Sequence, residues 1–291
     1  MQSRTSNQIK MTYDCIPCAI GSLLKLFKNG VVPQSKQDES VRALLKYLSE
    51  IDLNQSPPEL GREMHELIRH VIDNPDPYYQ IKQKYNLDLL EKYPTFKDVV
   101  NRSKNPFQTA MRLAIAGNII DFGPNHDFNV DETIKNALNA TLSIDHSESL
   151  KTEIDKANSI LYIADNAGEI VLDRLFIETI DHNNITLAVR GGPIINDVTE
   201  DDVRQVGLDE ITNTISSGDN SPGTIMTRVN KEFESFFHNS DLIISKGQGN
   251  YEGLAGNTQN IYFMLMAKCD HVAEHLGVKT GDLVVVNEHL Q

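Results

Sequence analysis

The stretch that decides the fold is residues 159–178, which read Ser159-Ile-Leu-Tyr-Ile-Ala-Asp165-Asn166-Ala-Gly168-Glu169-Ile-Val-Leu-Asp173-Arg-Leu-Phe-Ile-Glu178. A short apolar run rich in β-branched and aromatic residues stops at Asp165. After the turn Asp165-Asn-Ala-Gly-Glu169, apolar residues return at helical spacing. The pattern therefore predicts a strand, a tight turn and a helix.

The polar residues of this turn are candidates for a ligand site. In a parallel α/β sheet, the carboxyl ends of the strands face the crevice where ligands bind, so Asp165, Asn166 and Glu169 would lie together at one rim. A carboxylate beside an amide oxygen suits a hard cation such as Mg²⁺ or Mn²⁺. The same residues also suit a turn in which Asp165 and Asn166 cap the following helix. The spacing alone leaves both interpretations open.

Composition narrows the class of protein. The chain has 291 residues, 40% of them hydrophobic, which is enough for one large unit or two fused units. The net charge of −14, with no Lys/Arg cluster, argues against a nucleic-acid partner, because binding to a phosphate backbone requires a basic face. No apolar run is long enough to span a bilayer and the start of the chain is polar, so we expect no membrane partner and a cytoplasmic location. Three cysteines do not make a secreted disulfide framework.

The period of the hydrophobic residues changes once along the chain. Residues 1–150 follow a helical period and are predicted to form a helical bundle, with later helices at 78–91, 95–101, 106–119 and 132–142. Residues 151–291 alternate short apolar strands with helices, one of them at 224–237. This alternation predicts a Rossmann-like domain, a doubly wound and mostly parallel three-layer α/β sheet, with the helical N-terminal region packed on it.

Several of the predicted strands end in polar loops rich in small residues. Because the carboxyl ends of parallel strands converge, these loops would place oxygen ligands for one hard cation beside two cationic groups for an anion. Since the net charge is negative, attraction for a phosphate must be local. The combination favours a metal-dependent phosphate site. The residues that form it are Asp165, Asn166, Asp197, Lys246 and Lys268.

Four motifs together carry a family resemblance: Asp165-Asn-Ala-Gly-Glu169, Gly192-Pro-Ile-Ile-Asn-Asp197, Ser245-Lys-Gly-Gln-Gly-Asn-Tyr251 and Ala267-Lys-Cys269. Over nearly the whole chain, the sequence resembles the damage-control phosphatases (former DUF89), which have the ARMT1-like metal-binding fold. Two further segments resemble the subfamily found in archaea and some bacteria. They are Cys15-Ile-Pro-Cys18, a CxxC motif, and Gly117-Asn-Ile-Ile-Asp-Phe-Gly123.

The resemblance implies an enzyme, a metal-dependent phosphomonoester hydrolase. Its substrates would be small phosphorylated metabolites, such as damaged nucleotides or sugar phosphates, and its cofactor a divalent ion, Mn²⁺, Ni²⁺, Co²⁺ or Mg²⁺. The eukaryotic branch has an Arg-Thr-x-Lys motif that here reads Leu265-Met-Ala-Lys268, so sugar-phosphate selectivity is not carried over. The resemblance implies metal binding by Asp165, Asn166 and Asp197, a substrate lysine at Lys268, and substrate contact by residues 248–252, including Gln248 and Asn250.

The expected reaction uses a water whose pKa is lowered by the metal. Lys246 and Lys268 would hold the remaining phosphoryl oxygens. Either Glu169 or Asp197 would orient or deprotonate the water, and the sequence does not rank them. The predicted site is completed by Gly247, which permits close backbone approach, by a backbone nest at Ser217 and Gly218, and by a lid wall at Asn118 and Asp121.

Each of these elements also has a purely structural interpretation. A lysine after a strand is usually a solvated cap, a serine-rich loop is usually an ordinary turn, and Asn118 and Asp121 suit helix capping. Cys15 and Cys18 are interpreted first as buried structural thiols and second as a metal or redox pair. His271-Val-Ala-Glu-His275 matches an inverted zinc-peptidase motif, but an amphipathic helix explains it better because little chain follows to supply a third ligand.

Two other functions remain alternatives at this stage. The first is an S-adenosylmethionine-dependent carboxyl methyltransferase, an activity also associated with the ARMT1 branch. Against it, the turn after the first predicted strand reads Asp-Asn-Ala-Gly and lacks a Gly-x-Gly loop. The second is a noncatalytic metal or nucleotide-binding protein. The sequence leaves the oligomeric state open.

Overall fold

The N-terminal part of the molecule is helical. The computed structural model describes residues 8–117 and 130–290. Before the first strand, the described chain contains six α-helices. Helix α3 begins at a capping box, in which the backbone N–H of Ser56 donates to the Glu59 carboxylate at 2.7 Å. The six are α1 (Cys15–Lys28), α2 (Gln37–Ser49), α3 (Pro57–Ile72), α4 (Tyr79–Arg102), α5 (Pro106–Ala116) and α6 (Val130–Asn139).

A seven-stranded sheet forms the centre of the described structure, with the strand order β1-β7-β6-β5-β2-β3-β4. Strands β2 to β6 are parallel to one another, whereas β7 is antiparallel to β6 and parallel to β1. The mixed, mostly parallel α/β fold that the sequence predicts is confirmed. The strands are β1 (Leu142–Asp145), β2 (Ile160–Ile163), β3 (Ile185–Val189), β4 (Asn213–Ser216), β5 (Leu242–Lys246), β6 (Ile261–Met266) and β7 (Leu283–Val286).

Helices cover both faces of this sheet, as the apolar strands require. Ile160 and Tyr162 of β2 belong to one buried cluster, with residues of α4, α5 and α8. Leu161 and Ile163 point the other way, into a second cluster with α10, α11 and α12. The result is three layers, with α1 to α3 around a further cluster. The helices after β1 are α7 (Ser147–Lys156), α8 (Glu169–Ile180), α9 (Glu200–Val206), α10 (Lys231–Asn239), α11 (Gln248–Leu254) and α12 (Asp270–Leu276).

Several predicted segments differ from the structure. The helices expected at 78–91 and 95–101 are one helix, α4, which continues through Pro94 because Leu89 and Phe96 on either side are buried in the core. The helix expected at 224–237 begins only at Lys231, where the Asn230 side chain accepts a hydrogen bond from the N–H of Phe233. Residues 248–252, expected as a loop, form the first turn of α11.

The boundary predicted at residue 150 lies inside α7, and β1 precedes it. The segment predicted as helical therefore supplies one edge strand of the sheet. In the same segment, α4 and α5 pack in the layer that contains α8. The division into two domains stays a prediction.

The strand order defines where a ligand site is expected. From β2 the chain proceeds through β3 to β4 on one side, and then continues with β5 and β6 on the other. The direction of winding therefore reverses between β2 and β5, and such a switch point opens a crevice at the carboxyl ends of the strands. In the described part of the chain, no helix combines the length and the apolar character needed to cross a membrane.

Candidate functional site

The loops that follow β2 and β3 are joined to each other at the switch point. Asn166 and Asp197 form an isolated antiparallel bridge. Beside it, the N–H of Val198 donates to the carbonyl of Asp165 at 2.9 Å, and the N–H of Ala167 donates to the carbonyl of Asn196 at 2.7 Å. This pairing brings together Asp165, Asn166 and Asp197, which are separated by about thirty positions in the sequence.

Gly247, directly after β5, makes room for the Asp165 carboxylate. It has φ +81°, and a Cβ atom at this position would lie 2.0 Å from Oδ2 of Asp165. Only glycine allows the backbone to pass so close to the carboxylate. In the structure the group that Gly247 approaches is the Asp165 side chain, and the predicted approach of its backbone to a bound phosphate stays a prediction. Asp165 itself is 7% exposed.

The Asn166 side chain is held in one orientation by two carboxylates. Its Nδ2 donates to Oδ2 of Asp165 at 2.6 Å and to Oε2 of Glu169 at 3.1 Å. Both amide hydrogens are used by these acceptors. The carbonyl oxygen Oδ1 is therefore the atom that Asn166 offers to a cation.

Asp197 lies beside a buried guanidinium. Nε of Arg190 donates to its Oδ2 at 2.7 Å, and both side chains are almost fully buried. Burial raises the pKa of Asp197 to about 7, although Arg190 acts to lower it, and the nearby charge of Asp165 raises it further. A cation shared by the two carboxylates would remove this repulsion, which is the behaviour expected of metal ligands.

The donor chemistry fits a hard divalent cation. Across residues 8–117 and 130–290, no three His, Cys, Asp or Glu side chains are arranged to hold a metal ion. The candidate set has two carboxylates and one amide, Asp165, Asp197 and Asn166, which is too few for a closed protein site. Mg²⁺ and similar ions are commonly held by one or two carboxylates, with water and substrate phosphate as the remaining ligands.

Lys246 ends β5 inside the protein. Its ammonium donates to the carbonyl of Ala114 at 3.0 Å and to the carboxylates of Glu169 at 2.6 Å and Asp173 at 2.5 Å. Burial opposes its charge, yet the two carboxylates raise the pKa of Lys246 above its ordinary value. All three N–H donors are used, so the predicted contact of Lys246 with a phosphate does not fit this arrangement.

Glu169 is fully buried between Asn166 and Lys246. Its Oε2 accepts a hydrogen bond from Asn166 and its Oε1 accepts one from Lys246, so both carboxylate oxygens already have partners. This geometry favours a positioning role for Glu169 over the predicted role as a base for water. The other carboxylate that contacts Lys246 is Asp173. Burial raises the pKa of Asp173 to about 7, although Lys246 acts to lower it. The Tyr162 hydroxyl donates to Asp173 at 2.7 Å.

Lys268 follows β6 and is exposed at the surface. Its backbone N–H donates to Oε1 of Gln248 at 2.6 Å, and Nε2 of the same glutamine donates to Glu252 at 2.8 Å. Gln248 thus braces the loop that carries the lysine. Burial raises the pKa of Glu252 to about 7, although the nearby Lys268 charge acts to lower it. Among the predicted cationic groups, Lys268 is the one that the structure leaves accessible to a substrate.

The remaining predicted contacts serve the scaffold. Asn250 is fully buried and donates to the carbonyls of Ala164 and Lys246, which ties the ends of β2 and β5 together. The N–H groups of Ser217 and Gly218 donate to the Val189 carbonyl and the Ser216 hydroxyl. The predicted nest at Ser217 and Gly218 therefore has both donors committed, one to β3 and one to the end of β4.

Family comparisons cover almost the whole chain. Residues 11–284 match the model of the damage-control phosphatase ARMT1-like domain. The chain belongs to this family. The predicted family is thereby confirmed, whereas the subfamily with a CxxC motif stays a prediction. The family suggests a divalent metal ion as cofactor.

Three archaeal relatives support the assignment. A damage-control phosphatase of Pyrococcus horikoshii is 33% identical over 288 residues, which is 95% of this chain and 97% of the relative. One of Archaeoglobus fulgidus is 33% identical over 255 residues, with 85% and 87% covered. An uncharacterized protein of Methanocaldococcus jannaschii is 32% identical over 290 residues, with 96% and 95% covered.

A solved structure agrees with the fold. The crystal structure of a DUF89 family protein from Pyrococcus horikoshii matches with a TM-score of 0.86 at 32% identity, covering 96% of this chain and 99% of that chain. Together with the names of the relatives, this confirms the predicted fold and the prediction of a phosphatase. A small phosphorylated substrate is implied by the same relatives.

Several residues around the damage-control phosphatase site were not foreseen from sequence. Arg190 directly follows β3, and Lys82 and Asn86 lie on α4, far away in sequence. Lys82 donates to Asp202 at 3.1 Å, and the Asn86 side chain accepts from the N–H of Gly168 at 2.6 Å. No local pattern marks Lys82 and Asn86, since each acts through a contact more than 80 positions away.

Other predictions lie at the edge of the site or outside it. Asn118 and Asp121 fall outside the described residues. All three cysteines are free thiols; Cys15 is half-buried but Cys18 is exposed, so the expectation of two buried thiols is wrong for Cys18. Nε2 of His271 contacts the Lys10 carbonyl at 2.8 Å, so this histidine of the zinc-peptidase motif has a structural partner.

Proposed function

We propose that the protein is a metal-dependent phosphatase of small phosphorylated metabolites, in which Asp165, Asn166 and Asp197 hold one divalent cation. The single observation that carries this is the orientation of Asn166. Two carboxylates hold its amide nitrogen, which leaves its oxygen for a cation, and the backbone bridge between Asn166 and Asp197 joins the two loops that carry the candidate ligands. An all-oxygen set of this kind favours Mg²⁺ or Mn²⁺, and Co²⁺ and Ni²⁺ are the other family-suggested candidates.

When bound, the cation would supply Lewis-acid stabilisation of phosphoryl charge and a water of lowered pKa. Asp197 is the candidate for orienting the attacking water, because the structure gives Arg190 only one of its two oxygens. Lys268, exposed at the end of β6, is proposed to hold a phosphoryl oxygen of the substrate. Glu169 and Lys246 keep Asn166 in place from behind.

The first test separates this proposal from methyl transfer and from metal or nucleotide sensing. The protein is stripped of metal with chelator, and phosphate release from p-nitrophenyl phosphate is measured after adding Mg²⁺, Mn²⁺, Co²⁺, Ni²⁺ or Zn²⁺ separately. We expect activity with a divalent ion, its loss in Asp165→Ala, and no change in Asp155→Ala, a matched change at an exposed ion pair.

Binding of the same ion is measured by calorimetry to give a readout independent of turnover. Loss of both binding and activity in Asp165→Ala supports the metal assignment. Full metal-dependent activity in Asp165→Ala would show that the ligand assignment is wrong. No activity with any ion in a folded protein would refute the proposed hydrolysis, and S-adenosylmethionine binding would then be measured.

A further inference from the structure

Arg190 has a buried donor that no partner in the described structure uses. The residue directly follows β3 and is 4% exposed. Its Nε donates to Oδ2 of Asp197 at 2.7 Å, and Nη1 lies 3.5 Å from Oγ1 of Thr224. Within residues 8–117 and 130–290, Nη2 has no hydrogen-bond partner, although it is buried.

This orphaned donor is unusual for a folded protein. More than nine in ten buried polar groups are hydrogen-bonded, and a buried N–H without a partner carries a desolvation cost. The cost is larger for a charged group such as a guanidinium. An unsatisfied donor beside a functional carboxylate therefore calls for a ligand that completes it.

The chemistry of the guanidinium identifies the class of ligand. Its planar fork of N–H donors matches carboxylate and phosphate oxygens, and it stays charged at any physiological pH. One edge of the Arg190 fork already holds Asp197, a candidate metal ligand. A phosphoryl group bound next to that carboxylate would bring its oxygens to the same guanidinium.

Arg190 also borders a cleft, although it is itself almost fully buried. With Lys82, Gly191 and Gly192 it lines a cleft of about 270 Å³ between α4, α9 and the loop after β3. That volume is close to the lower end of small-molecule sites, about 300 Å³. Open space therefore borders the residue that carries the unsatisfied donor.

We propose that Nη2 of Arg190 donates a hydrogen bond to an oxygen of the transferred phosphoryl group, and to the inorganic phosphate that hydrolysis releases. Nε keeps Asp197 oriented at the same time, so one side chain would couple the metal ligand to the phosphate. No bond forms or breaks at Arg190, and its proton stays on nitrogen. The inference rests on the proposed function, since it places the phosphate at the same site.

The test measures phosphate binding rather than turnover alone. Inorganic phosphate is titrated by calorimetry into Arg190→Gln and Arg190→Lys, with Mn²⁺ saturating as judged by a separate Mn²⁺ titration of each variant. Hydrogen bonds to charged groups contribute enough that Arg190→Gln should weaken phosphate binding roughly 10-fold or more. Arg190→Lys keeps the charge without the fork and should recover only part of the affinity. The KM for p-nitrophenyl phosphate should rise in parallel.

Arg69→Gln is the matched control. It removes a half-buried guanidinium whose Nη1 donates to the carbonyl of Pro193, in the same loop, at 2.9 Å. We expect its phosphate affinity to equal that of wild type. Equal affinity in Arg190→Gln, or in a folded Arg190→Lys if the glutamine variant does not fold, would overturn the inference. Activity retained in Asp165→Ala would instead count against the proposed function, so the two failures are distinguishable.

Discussion

Gly247→Ala is expected to damage the cation site while the protein remains folded. Gly247 has φ +81° and ψ 159°, a backbone region that is essentially restricted to glycine. An alanine Cβ would lie 2.0 Å from Oδ2 of Asp165, whereas ordinary contacts begin at 3.4 Å, so the carboxylate must move by about 1.4 Å (3.4 − 2.0). That displacement is a large part of a metal–oxygen bond of about 2.0–2.6 Å.

Two separate losses are expected from this change. Backbone strain at such a position costs of order 1–3 kcal/mol of folding free energy. Displacement of the carboxylate should in addition lower the affinity for Mn²⁺ by about 10- to 100-fold, the range seen when the support of a metal ligand is removed. Activity at subsaturating Mn²⁺ should fall by the same factor.

Gly281→Ala separates the two losses. Gly281 also has a positive φ, +94°, but its Cβ would meet no atom within 4 Å. Urea unfolding should therefore show a loss of stability in both variants, while calorimetry with Mn²⁺ on chelator-treated protein should show weaker binding only in Gly247→Ala. If Gly247→Ala binds Mn²⁺ as tightly as Gly281→Ala does, the Asp165 carboxylate is not a metal ligand in this position.

Outcomes are also expected for four other variants. Glu169→Gln should stay folded but weaken Mn²⁺ binding about 10- to 100-fold in calorimetry, because Asn166 loses a charged acceptor; unchanged binding would contradict its positioning role. Lys246→Met should lose about 3–5 kcal/mol in urea unfolding, since it leaves buried carboxylates uncompensated. Because Lys268 is exposed, Lys268→Met should raise KM but change the unfolding free energy by no more than about 0.5 kcal/mol. Equal losses of stability in Lys246→Met and Lys268→Met would contradict this expectation. Burial raises the pKa of Glu252 from 4.5 to about 7, so the folded state holds this proton longer than the unfolded state does. The unfolding free energy of wild type, taken relative to that of Glu252→Gln, should therefore fall by up to about 3 kcal/mol between pH 4.5 and pH 7 and stay constant above pH 7. A difference that does not change with pH would refute this expectation.

The parts of the site that sequence could predict are those set by local pattern. A strand of apolar residues followed by Asp165-Asn166 places both side chains at a strand end, whatever the rest of the chain does. Asp197 also lies in a loop that follows a predicted strand, but that loop is long enough that the sequence alone does not fix where the side chain lies. The bridge between Asn166 and Asp197 is what fixes its position, and only the folded chain shows that bridge.

The role of Lys246 shows where such prediction stops. Its place at the end of β5 was predicted, but its function depends on acceptors 77 and 132 positions away, in Glu169 and Ala114. A lysine at a strand end reads the same in sequence whether it is directed to solvent or to the core. Arg190 is the reverse case, since a strand-terminal arginine gave no signal and yet is buried against Asp197.

The buried ions behind the site are best understood as supports for one amide. A buried ion pair seldom adds net stability compared with well-packed apolar residues, because desolvation offsets the attraction. Here Lys246 lies between Glu169 and Asp173, and Glu169 in turn holds the Asn166 amide nitrogen. If stability alone mattered, apolar residues would fill this space as well. The arrangement instead fixes which atom of Asn166 would be offered to a cation.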